Sequence, residues 1–201
     1  MNRVLLALGI LGGFTWIALA AISFSYGVPG NMLIDGFEWG GKLGTLALVG
    51  MGMGFFGFFR SVGPLGTGRA RNASVILLIG FAVMVLSSIS DFWFGLEFPV
   101  IKGYPMLQTW ENMFAFGMLF VYLSTATFGW NYYRGGKPSW LGAVFLVFSI
   151  AAGGLAFIDF GLSFRAVGVL CVVACGEMLL SSRQSPSYIS DRLPGPVPPR
   201  R

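Results

Sequence analysis

Histidine is absent from the 201 residues, and charge is scarce: Asp, Glu, Lys and Arg together make up 10% of the chain. The lack of histidine removes the commonest haem and zinc ligand and the side chain best suited to titrate near neutral pH. Proton chemistry is left to eight carboxylates. Soluble domains carry roughly a quarter charged residues, so this chain cannot hide its apolar surface inside one soluble core. Cysteine is nearly absent too. Cys171 and Cys175 lie four apart on one apolar run, share a helix face, and are poorly placed there for a disulfide. They read as small buried residues, with a soft-metal or redox pair as the alternative. No cofactor fingerprint, metal-ligand spacing or nucleophile arrangement stands in the sequence, so neither a cofactor nor a metal is expected.

What is present is apolar: 55% of the residues are hydrophobic. Runs near 20 residues recur almost free of charge, the length an α-helix needs to cross about 30 Å of hydrocarbon. Six spans are predicted, over residues 4–26, 43–59, 74–96, 106–132, 139–157 and 162–182. The fold class expected is therefore all-α: a polytopic membrane helix bundle with six transmembrane helices. A β-barrel is disfavoured, because its strands alternate in hydropathy over about ten residues. The Ala18-Leu19-Ala20 stretch mimics a signal-peptide cleavage site, but the apolar run continues past it. Residues 1–182 are read as the membrane domain and 183–201 as a polar, proline-rich cytoplasmic tail unable to pack a core.

The net charge of +5 would suggest nucleic acid if the basic residues were clustered, but they sit in the connections and the tail. With six spans and the N-terminus inside, ten of the thirteen basic residues fall on the inner side, and Lys42, Lys102 and Arg165 on the outer. That asymmetry predicts both termini in the cytoplasm. The expected location is a prokaryotic plasma membrane, with the bilayer and other membrane subunits as partners and no nucleic acid. Trp130, Tyr132, Tyr133 and Trp140 are expected to form an aromatic belt around the link bearing Arg134 and Lys137.

Two sets of residues stand out. Along the second span, Ala47, Gly50, Gly54 and Gly57 recur at steps of three and four, a smooth stripe against which another helix can pack. Met51 and Met53 beside it read as lipid- or core-facing filler. Between the third and fourth spans, Asp91, Glu97 and Glu111 are interleaved with Trp93, Tyr104 and Trp110. Asp91 and Glu111 are each ten residues from Ile101, so they are expected at similar depth on the outer side. Two such acids brought together would titrate as a coupled pair. Their bland reading is interfacial, with Glu111 also favoured in a first helical turn by the helix dipole. Glu177 near the inner end of the sixth span is expected to reach water or pair with Arg60 or Arg183.

Three function classes fit. An accessory or scaffold subunit of a larger membrane complex accounts for smooth helix faces and scarce mid-membrane charge. A small-solute or ion transporter or channel is permitted by six spans arranged three and three. A membrane enzyme on a lipid or isoprenoid would use the outer carboxylates as general acids. The first is favoured and catalysis is the less expected outcome.

Overall fold

The structure, a computed structural model, describes residues 2–25, 38–62, 68–94, 110–135, 139–156 and 160–184. Six helices occupy them: α1 (Asn2–Ser25), α2 (Glu38–Val62), α3 (Gly68–Phe92), α4 (Trp110–Gly135), α5 (Ser139–Ala156) and α6 (Phe160–Gln184). Four contain stretches long and apolar enough to cross a membrane: Asn2–Leu19, Gly40–Val62, Arg71–Phe92 and Met113–Arg134. The apolar stretch of α5, Trp140–Gly154, is shorter. Large apolar side chains also face outward, among them Leu11, Phe14, Leu86, Leu123 and Ile150, each more than half exposed. Helices apolar on their outer as well as inner faces fit an integral membrane protein.

Some helices extend beyond the apolar runs. Residues 68–72, expected in a loop, form the first turn of α3, and α2 takes in Glu38 to Lys42 at one end and Arg60 to Val62 at the other. Once a helix is nucleated, each added residue gains a backbone hydrogen bond for one set of dihedrals fixed. Side-chain hydroxyls join the ladder: Ser61 donates to the Gly57 carbonyl and Thr45 to that of Gly41, at 2.8 and 3.0 Å. At its far end α3 stops early, because the N–H groups of Trp93 and Phe94 both turn back on the Ile89 carbonyl. The proline-rich stretch 185–201 lies outside the described residues.

Close contacts fix the direction of each helix. Gly12 of α1 lies against Ala47 and Gly50 of α2, Gly9 against Gly54, and Leu5 against Gly57, so α1 and α2 are antiparallel. The same reversal follows for α2 and α3 from Gly41 against Phe92 and Gly52 against Phe81, and for α3 and α4 from Gly80 against Val121 and Gly117 against Met84. Gly129 against Leu146 and Gly142 against Tyr133 set α4 antiparallel to α5, and Gly13 against Gly168 with Gly9 against Cys175 sets α1 antiparallel to α6. Consecutive helices therefore alternate in direction. They pack in chain order, and α6 closes the ring on α1 and α2. Arg60, Arg71 and Arg134 gather at one end of the ring, here the basic end; Lys42, Asp91 and Trp93 lie at the other.

The centre of the ring is filled with aromatic rings. Phe58 and Phe145 stack at 5.4 Å, Phe128 meets Phe59 edge-on at 4.9 Å and Phe145 at 5.1 Å, and Phe55 reaches Phe81 at 5.5 Å. These side chains join α2, α3, α4 and α5 through the middle. Spacings of 4.5–7 Å are those at which aromatic pairs add about 0.5–1.5 kcal/mol beyond the area they bury.

Candidate functional site

Asp91 is half-buried in the last turn of α3, one turn beyond buried Ser87 and Ser88. The bend after it exposes Trp93, and the Lys42 ammonium, from the beginning of α2, lies 6.0 Å from the Trp93 ring centre. One residue away the Phe92 ring fills the space a side chain on Gly41 would need, which seats the start of α2 against the end of α3. A cation therefore joins the acid and the aromatic. Lys42 was legible only as an outer-side charge, because its neighbour Trp93 is 51 positions away in sequence.

Of the other outer residues, Glu97 and Tyr104 lie outside the described residues. Trp110 and Glu111 open α4, and their side chains likewise lie outside what is described. Backbone register alone bears on the acids: continuing the Gly80–Gly117 contact along two antiparallel helices brings the beginning of α4 level with the end of α3. Of the candidate residues expected here, Asp91 and Trp93 have described side chains, and Lys42 is placed beside Trp93.

The stripe Ala47, Gly50, Gly54 and Gly57 lies along α1. A side chain on Gly54 would fall on the Cα of Gly9; one on Gly50 would come 2.9 Å from the Leu8 carbonyl oxygen, and one on Gly57 2.8 Å from the Leu5 Cβ. Where α1 and α2 touch, α6 inserts its cysteines. Both are free and fully buried, with sulfurs 4.0 Å apart. The Cys171 thiol points to the carbonyls of Gly9 and Met51, at 3.5 and 3.8 Å. Small size explains their presence: the Cys175 sulfur sits 2.8 Å from where a Gly9 side chain would begin, leaving no room for a larger residue.

One expectation changes. Tyr132 does not join the aromatic belt: it is 1% exposed and stacks on Phe128 at 5.6 Å. Val121, Thr125, Phe128 and Tyr132 form one buried stripe at helical spacing, a pattern present in the sequence but hidden by the apolar residues around it. Glu177 is partly buried on α6, and Arg60 is exposed and lies over the Phe56 ring at 5.8 Å. The two methionines divide: Met51 is fully buried and Met53 is 43% exposed.

Between α4, α5 and α6 a half-open cavity of about 10 Å³ is lined in part by Thr125, Ser149 and Leu170. That is space for about one water. Ser149 donates to Thr125 at 2.6 Å across the α4–α5 contact, so the two hydroxyls hold helices together.

No protein-family model, no curated protein and no solved structure matches this chain.

Proposed function

We propose that this chain is a non-catalytic accessory or scaffold subunit of a larger membrane complex. The observation that carries this reading is the way the ring is closed: backbone contacts at Gly9–Gly54, Gly80–Gly117 and Gly129–Gly142 bind neighbouring helices, while an aromatic layer fills the centre. Alternating access needs one half of a bundle to rock against the other. Here the α1–α2, α3–α4 and α4–α5 joints are backbone to backbone, which suits a rigid support. The same reading threads six spans through the membrane with both termini cytoplasmic. Alternating helix direction and the gathering of Arg60, Arg71 and Arg134 at one end support that threading.

Transport is the second reading, favoured by one observation. Glu177 is a partly buried ionisable side chain of α6, and such groups in membrane helices commonly mark ion or proton paths.

Purification in a mild native detergent separates the two. A stoichiometric membrane partner is expected to co-purify. A lone, monodisperse chain that supports solute or ion flux in proteoliposomes, with flux lost in Glu177→Gln, overturns the scaffold reading in favour of transport. Threading is checked by labelling introduced cysteines: positions near Gly36 and Lys102 should react from outside, and reaction of a cysteine at Ser185 from outside would reverse it.

A further inference from the structure

We propose that the α4–α5 corner at the basic end binds the headgroup of an anionic phospholipid, with Arg134 as its cation. In the last turn of α4 the Arg134 guanidinium carbon lies 4.3 Å from the centre of the Trp130 ring, close enough for a cation–π contact. That contact occupies the ring face and supplies no oxygen. Among the described residues Arg134 has no carboxylate or hydroxyl partner, and its planar fork of five N–H donors matches a phosphate.

The surroundings suit a headgroup. Trp130, Tyr133 and Trp140 are 45%, 51% and 46% exposed. Tyr133 and Trp140 come from different helices, and Gly142 lets those helices meet: a side chain there would fall on the Tyr133 backbone. Exposed tryptophan and tyrosine rings sit at headgroup level in membrane proteins. An exposed basic residue at the cytoplasmic end of a membrane helix attracts the anionic lipid of that leaflet. Arg71 supplies the contrast. It is exposed at the same end, on α3, and among the described residues it stands over no ring. The inference rests on the membrane character of the bundle and on the threading proposed above, and is independent of the scaffold reading.

The test uses the full chain in detergent, supplied with phosphatidylglycerol or phosphatidylcholine, with native mass spectrometry counting retained lipids. The wild type is expected to retain phosphatidylglycerol preferentially. R134Q should lose about fivefold of that preference, equivalent to the ~1 kcal/mol a basic residue contributes near an anionic surface, while R71Q keeps it. Trp140→Leu, which leaves the charge alone, should show a smaller loss and serves if R134Q does not fold. Equal losses in R134Q and R71Q would mean diffuse attraction to the whole basic end and would overturn the site. Equal retention of both lipids by the wild type would do the same. Inorganic phosphate should leave the melting temperature unchanged; a shift as large as that given by the lipid would mean a phosphate site, and the proposal would fail.

Discussion

The two densest regions of the bundle are built in opposite ways. At the α1–α2–α6 junction, Gly9, Gly54 and Gly12 bring main chains together and the small side chains of two cysteines are inserted beside them. In the aromatic layer, the rings of Phe58, Phe128 and Phe145 fill the space between α2 and the α4–α5 pair. A side chain can change rotamer to make room, but two helical backbones in contact can yield only by moving whole helices. The glycine junction should therefore be brittle and the aromatic layer more forgiving, although both are buried to the same degree.

Gly54→Leu is expected to have the largest effect. Overpacking by a few carbons costs about 1–3 kcal/mol where side chains can adjust, and here the Gly9 backbone cannot. The variant should lose its monodisperse elution peak; an unchanged melting temperature would mean that α1 does not hold this position. Phe128→Ala should cost about 3–5 kcal/mol, since the ring touches Phe58, Phe59, Tyr132 and Phe145, yet the variant should still fold. If it collapses as completely as Gly54→Leu, the contrast between the two regions is lost. Gly52→Ala should have the least effect. Its added methyl would meet the Phe81 Cβ at 3.5 Å, an ordinary contact, and alanine improves helix propensity by up to about 1 kcal/mol. Thermal melts of Gly52→Ala beside Gly54→Ala, two residues apart on one helix, give the sharpest comparison: the first near neutral, the second destabilised.

Glycine content alone would not have separated Gly52 from Gly54. The spacing of Ala47, Gly50, Gly54 and Gly57 marked a stripe that omits Gly52; that its neighbour is α1 depends on pairings such as Gly9 with Gly54, 45 positions apart, and that Cys175 fills the same junction depends on pairings more than a hundred positions apart. Interleaving with tryptophan singled out Asp91, Glu97 and Glu111 in the sequence, of which the Asp91 side chain alone is among the described residues, while the approach of Lys42 to Trp93 required α2 and α3 to be docked.

Composition and run length by themselves determined that the chain is helical, that its helices are apolar enough to fit a membrane protein, and where most of them lie. In hydrocarbon a backbone must satisfy its own hydrogen bonds, and about twenty apolar residues in a row have one local way to do so. The tertiary structure alone decided how each helix is rotated: Met51 inward and Met53 outward, Tyr132 into the core while Tyr133 stays exposed. The physical reason is that lipid is as apolar as the bundle interior. A helix apolar on all sides then carries no polar face to tell inside from outside, and its rotation is set by which neighbour fits against it.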